Sequence, residues 1–279
     1  MKKEVIRSIA VALDCSAHSR ASLAAAAEMA SRLQAELIGI FVEDMNLLRM
    51  AELPFIEEIR RYSSTTGKFD TKQLERLLRI QANEARDLLT RTAEKFTVHH
   101  TFRVLRGMVP AELMSAAPEA DLLVLGRSGR SPSGHKGLGS TARTALFEGK
   151  QTILLMRPGF NAAAGPLLVL YDGSEGSKQA LLTALGIAGP ESTLQILITE
   201  PRSDAAEWCR QEAALMIANG GMEAQYHQIP TTSGHQLAHF IRMIDSGLLV
   251  LSDRMNLPLD TLRDLVSDLD YPVLIVRSL

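Results

Sequence analysis

Residues Ile9–Ala26 read IAVALDCSAHSRASLAAA, and residues Leu167–Ala184 read LLVLYDGSEGSKQALLTA. Each begins with an aliphatic run as long as a buried strand, turns at Asp-x-Ser, and continues into a small-residue stretch that is helical by composition. Asp14, Ser16 and Ser19 have counterparts in Asp172, Ser174 and Ser177, each 158 residues further on. Two more landmarks return in the same order. Leu122-Leu-Val-Leu125 recurs as Leu248-Leu-Val-Leu251, and Thr152-Ile-Leu-Leu-Met-Arg157 recurs as Pro272-Val-Leu-Ile-Val-Arg277. Landmarks that repeat in order mark a duplicated unit. Between the copies, Arg157–Pro166 (RPGFNAAAGP) has the composition of a linker. The expected organisation is a first domain over 1–158, a linker over 159–166 and a second domain over 167–279.

Outward from these landmarks, short apolar runs alternate with amphipathic stretches. Val5–Leu13, Glu36–Val42, Val98–Leu105, Leu122–Leu125 and Thr152–Met156 read as the strands of the first copy. Ser16–Leu33 reads as a helix. Thr71–Phe96 sets Leu74, Leu77, Leu78, Ala85, Leu88 and Leu89 on one helical face. Strands apolar on both faces and separated by helices predict a parallel sheet covered on both sides. The fold class is therefore α/β: two doubly wound, Rossmann-like parallel-sheet domains in tandem. Residues 44–70 show no clear period, and Ser63–Gly67 reads as loop. The second copy is shorter because the insertion after its second strand is reduced.

Net charge is −2, from 30 basic and 32 acidic residues. That balance excludes bulk attraction to nucleic acid or to an anionic membrane. No run of about 20 apolar residues predicts a membrane span. The start, MKKEVIRSIAVALD, is broken by Glu4, Arg7 and Asp14 and does not read as a signal peptide. Cys15 and Cys209, one per copy and without a CxxC, suit a reducing, cytoplasmic setting rather than a disulfide framework.

The chemistry is expected just after the fourth strand. There the chain reads Leu122-Leu-Val-Leu-Gly126-Arg-Ser-Gly129-Arg-Ser-Pro-Ser-Gly-His-Lys-Gly-Leu-Gly139-Ser140-Thr141 and opens into a helical stretch. In a doubly wound sheet, ligands lie beyond the carboxyl ends of the strands. Gly126 and Gly129 would let backbone amides approach phosphate oxygens. Gly139-Ser140 at a helix start offers amides, the positive end of the helix dipole and a capping hydroxyl. Arg127, Arg130 and Lys136 are placed to offset phosphate charge.

Gly126-x2-Gly129-x9-Gly139-Ser140, together with the opening strand and Asp14-x-Ser16, resembles the nucleotide loop of ATP-binding universal stress proteins. Gly107-x-x-Pro110 after the third strand resembles another landmark of that family, with one residue more in the spacing than is usual there. The resemblance implies adenine-nucleotide-binding domains that hold ATP, alone or with magnesium. It implies that Ala12 and Asp14 contact adenine and ribose, and that Val42 gives backbone contacts to the adenine edge. Gly107 would line the same crevice. Gly126, Ser128, Gly129, Gly139, Ser140 and Thr141 would cradle ribose and phosphates. It also implies a stress-response or regulatory role, with the two domains packed through their last strands as an internal pseudo-dimer that is open to further homodimerisation. Every residue of this site precedes position 142, so the site is expected to be self-contained in the first domain.

The second copy departs from the pattern. Asp172-Gly-Ser174 is kept, but after the fourth strand the chain reads Leu251-Ser252-Asp253-Arg254-Met-Asn-Leu-Pro258-Leu-Asp260. It has no glycine there, and its two carboxylates would repel phosphate. ATP is therefore expected in the N-terminal domain only. No catalytic constellation is assembled, so the chain does not read as an established enzyme. The alternatives are a nucleotide-independent interaction protein and a slow ATP hydrolase in which Arg127 or Lys136 stabilises charge. His99 and His100 alternate across a strand and read as ordinary strand residues. His235 and His239 stand four apart on a helix, without an acid placed by sequence to complete a metal site. Gly137-x-Gly139-x-x-Ala142 matches a dinucleotide fingerprint but starts too far past the strand to be one.

Overall fold

The structure is a computed structural model. It describes residues 6–51, 57–59, 66–68, 71–129, 138–159, 165–189, 192–218, 222–229, 233–244 and 247–277. In the first half, β1 (Ser8–Ala12), β2 (Glu36–Asp44), β5 (His100–Gly107), β6 (Leu122–Gly126) and β7 (Thr152–Met156) form one sheet. They are joined by α1 (Ala17–Leu33), α3 (Thr71–Phe96), α4 (Val109–Ala116) and α5 (Ser140–Glu148). The insertion holds α2 (Met45–Ala51) and a small antiparallel pair, β3 (Glu57–Ile59) and β4 (Thr66–Lys68). Gly67, read from sequence as loop, thus belongs to a short strand, while Ser63–Thr65 lie outside the described residues.

The second half repeats the plan with β8 (Leu167–Tyr171), β9 (Leu194–Ile198), β10 (Ala224–Gln228), β11 (Leu248–Ser252) and β12 (Val273–Val276). Its helices are α6 (Glu175–Ile187), α7 (Ser203–Ala218), α8 (Gly234–Ile244) and α9 (Leu259–Asp268). Here α7 follows β9 within a few residues, which accounts for the shorter copy.

All ten long strands lie in one sheet, in the order β10-β9-β8-β11-β12-β7-β6-β1-β2-β5. Pairing is parallel within each half. At the seam β12 runs antiparallel to β7, with Val273 opposite Leu155, Leu274 opposite Leu154 and Ile275 opposite Ile153. The two closing strands therefore cover each other's edges. The central strands are apolar on both faces and fully buried, as helices on both sides require. One core layer packs α1, α3, α6 and α7 against the sheet, and the other packs α4, α5, α8 and α9. Both layers run unbroken across the seam. The outer strand β5 alternates exposed and half-buried positions and carries the ion pairs Arg103–Glu119 and Arg106–Glu43, charges that discourage edge pairing.

Two strands start later than the sequence reading placed them. Val98 is used by the end of α3, where Thr97 is left-handed (φ 55) and the Val98 amide donates to Ala93 O, so β5 starts two residues later than expected. β1 starts at Ser8, where Asp121 Oδ2 accepts from the amides of Arg7 and Ser8.

Candidate functional site

The chain leaves β1 on one side through β2 and β5 and returns on the other through β6 and β7. That reversal sets a crevice at the carboxyl ends of β1 and β6. Ala12 and Gly126 end those two strands, and Val42 lies near the end of β2. β2 continues past Val42 to Asp44, which pairs with Gly107 on the outer strand. Gly107 is thus two strands removed from β1, and Glu112 covers it: a Cβ there would collide with the Glu112 carboxylate.

After β1 the chain turns through Cys15 in the left-handed region (φ 62). Asp14 Oδ1 accepts from the Ser16 amide at 2.9 Å, and Ser16 Oγ caps α1 by accepting from the Ser19 amide at 3.1 Å. The other carboxylate oxygen of Asp14 faces the loop, where a Cβ on Gly129 would approach it to 3.2 Å. The base of the loop is pinched. The Arg127 amide donates to Met156 O, and the Gly139 amide donates to Arg127 O, both at 2.8 Å. Between them Ser128 Oγ lies 2.8 Å from His18 Nε2, while the buried His18 Nδ1 has no hydrogen-bond partner among the described residues. His18 was passed over in the sequence. Its signal was its place on the first turn of α1, four residues after Asp14.

α5 starts directly after the loop. Its N-cap is Gly139, in an extended conformation, and no side chain among the described residues caps it. The capping hydroxyl expected from Ser140 is therefore absent, because Ser140 and Thr141 already sit in the first helical turn. No acidic residue lies in that turn. Its amides and the positive end of the dipole are left for an anion.

Arg127 does not do what its place in the loop suggested. Its side chain is turned away from the crevice and is 6% exposed. The guanidinium donates to Val266 O at 2.6 Å and to Tyr271 O at 3.4 Å, both in the second half. Burial pulls its pKa down, opposed by the charge of Asp270 and reinforced by that of Arg157. Arg130 and Lys136 lie outside the described residues.

The second crevice has the same plan and a different filling. Asp172 Oδ1 accepts from the Ser174 amide at 3.0 Å, as Asp14 does from Ser16. Asp172 Oδ2, however, accepts from the Asn256 amide at 2.7 Å, so the loop after β11 is drawn onto it. A Cβ on Gly176 would lie 2.6 Å from the Arg254 carbonyl carbon, which shows how closely that loop lies against α6. Asp260 occupies the first turn of α9, where α5 has no acid.

Elsewhere, His100 Nε2 lies 3.2 Å from Thr90 Oγ1. His235 faces Asp268 and Asp264 of α9. Among the described residues, no group of three or more His, Cys, Asp or Glu is placed to hold a metal ion. Also among them, no helix is long and apolar enough to cross a membrane.

The fold matches solved structures over nearly the whole chain. A universal stress protein from Archaeoglobus fulgidus DSM 4304 superimposes with a TM-score of 0.70 at 15% identity, covering 97% of this chain and 98% of that one. A protein described as functionally unknown, from Pseudomonas aeruginosa PAO1, gives 0.61 at 17% identity, covering 98% and 92%. A putative universal stress protein from Pseudomonas aeruginosa UCBPP-PA14 gives 0.58 at 17% identity, covering 98% and 93%. No curated protein sequence matches the chain. The model of the universal stress protein family matches residues 6–157, which hold the whole crevice and loop described above, and the chain belongs to that family.

Proposed function

We propose that this protein binds ATP or another adenine nucleotide in the crevice of its N-terminal half, and serves as a stress-response or regulatory protein whose state follows that nucleotide. The contrast between the two crevices of one chain carries the reading. In the first, Asp14, Gly129 and the uncapped start of α5 converge at the strand ends. In the second, Asn256 closes on the corresponding aspartate, and an acid occupies the helix start. Adenine and ribose would lie beside Ala12, Asp14 and Val42. The amides of Ser128, Gly129, Ser140 and Thr141 would hold the phosphates. Magnesium, where used, would be brought by the nucleotide, since the described residues offer no cluster of ligands for it.

The nucleotide released from the purified, denatured protein identifies the ligand. Calorimetric titration of the emptied chain should then give one site per chain. Two equivalent sites would reject the asymmetry, and no binding of any adenine nucleotide would reject the reading.

One contact favours a second reading, slow turnover. Ser128 Oγ at 2.8 Å from His18 Nε2 is a hydroxyl beside a base, at the loop assigned to the phosphates. ADP formed in single-turnover conditions by the wild type and not by Ser128→Ala would support it.

A further inference from the structure

We propose that the second half positions the nucleotide loop of the first, holding Arg127 at its start and the far end of the helix that follows it, so that affinity for the phosphates depends on residues far from them. This rests on the site assignment above. The first grip is Arg127. Its backbone closes the base of the loop, taking the Gly139 amide on its carbonyl and donating to Met156 O. Its side chain is anchored on Val266 O and Tyr271 O of the other half.

The second grip is Arg277, which follows β12 and is 7% exposed. It donates to Ala145 O at 3.0 Å and also to Leu146 O and Gly149 O, the carbonyls that end α5. The amide of Arg277 further donates to Thr152 Oγ1 at 3.1 Å. A cation on the last carbonyls satisfies the orphan acceptors of a helix and complements its dipole. α5 has nine residues, about 13 Å of helix, so a grip on its last turn fixes where its first turn points. That first turn is the expected seat of the phosphates.

At the two helices the arrangement is reciprocal, and at the two loops it is one-sided. Leu146 and Val266, which each accept a guanidinium, are corresponding residues of α5 and α9. The donors are not corresponding residues. The position matching Arg127 in the second copy is Asp253, whose Oδ2 lies 3.1 Å from Arg277 Nε within its own half. The position matching Arg127 in the second copy therefore sends no guanidinium across the seam, while the first copy's loop and helix are both held from the far side. Taking a guanidinium out of water is costly, and burial pulls both arginines below their ordinary pKa while leaving them charged. An apolar pair would fill the same space, but it would not fix orientation through several directed hydrogen bonds. On this proposal the site, expected to be self-contained before position 142, also depends on residues of the second half.

The test uses the full chain and two ligands, ATP and adenosine. Arg127→Lys and Arg127→Met weaken the first grip. Arg277→Met combined with Asp253→Asn removes the second without leaving an unpaired buried carboxylate. Folding is checked by circular dichroism and gel filtration. The lysine variant, which keeps the charge and loses the fork, serves if the methionine variants fail to fold. We expect ATP affinity to fall at least tenfold in each folded variant, with adenosine affinity within about twofold of wild type. Unchanged ATP affinity in folded variants overturns this proposal alone. An equal loss for both ligands also overturns it, since general loosening would then suffice. A wild-type chain that binds neither ligand overturns the site reading together with this inference.

Discussion

His18 and Gly176 occupy corresponding positions on the first turns of α1 and α6, and they treat the loop beside them in opposite ways. His18 holds Ser128 at the tip of its ring, 2.8 Å from Nε2. Gly176 has no side chain, and the backbone of Arg254 fills the place where one would be. The imidazole props one loop off its helix, and the glycine lets the other settle. His18→Gly should therefore let residues 127–129 sink toward α1 and weaken ATP binding about tenfold or more, while Gly176→Ala destabilises by about 1–3 kcal/mol through overpacking. Titration and denaturant unfolding read the two effects. An unchanged Kd in His18→Gly would refute the prop.

Gly129→Val should abolish nucleotide binding and leave the chain folded. A Cβ there already reaches 3.2 Å from Asp14 Oδ2, and the two further methyl carbons must enter the space between Asp14 and the loop. Unchanged ATP binding by the folded variant would place the phosphates elsewhere.

Asp172→Ala should lower stability by about 1–3 kcal/mol and leave ATP stoichiometry at one. The carboxylate satisfies the amides of Ser174 and Asn256, and its removal strands both donors. Denaturant unfolding measures the first effect and calorimetry the second. A second nucleotide site in this variant would show that the carboxylate had been excluding the ligand.

The His235–Asp268 contact gives a pH dependence with a definite sign. The hydrogen bond that the imidazolium donates to Asp268 raises the His235 pKa, and the charges of Asp268 and Asp264 add to it. Arg242 also reaches this corner, donating to Asp268 O. A histidine whose folded pKa is raised stabilises fully below its unfolded value, about 6.5, and loses that contribution as pH rises through the folded value. The melting temperature of His235→Gln should fall below wild type at about pH 5.5 and converge with it by about pH 9. A gap that widens with pH would contradict this.

Leu154→Ala tests the seam. Leu154 is fully buried and faces Leu274 across the antiparallel pair. The loss should be about 2–5 kcal/mol. The two halves share both core layers, so chemical unfolding of wild type and variant should remain one transition. Two separated transitions would show that the halves are stable apart.

Much of this was legible because it is local. The strands at 122–125 and 152–156, the helix at 71–96 and the repeat of Asp14-x-Ser16 as Asp172-x-Ser174 follow from apolar period and turn chemistry. The glycines of the loop declared themselves by spacing. Arg127 did not, because a basic residue in a glycine-rich loop reads as a phosphate ligand, and nothing nearby reveals that carbonyls at 266 and 271 await it. The acids facing His235 were hidden for the same reason, since they come from a helix more than twenty residues away. The loop closed by Asn256 was read as unsuitable for phosphate from its charges, but that it folds onto Asp172 depends on a backbone amide, which every residue carries.

The antiparallel seam between β7 and β12 also bears on how this chain departs from symmetry. In a pair of identical chains joined by a two-fold axis, every substitution is made twice, so a residue that improves one copy at the other's expense is not available. Here the two copies are covalently joined, and they meet at an effective concentration set by a short tether rather than by abundance. Each position is then free to differ from its counterpart: arginine at 127 against aspartate at 253, histidine at 18 against glycine at 176. One copy keeps the glycine loop, and the other becomes its permanent neighbour.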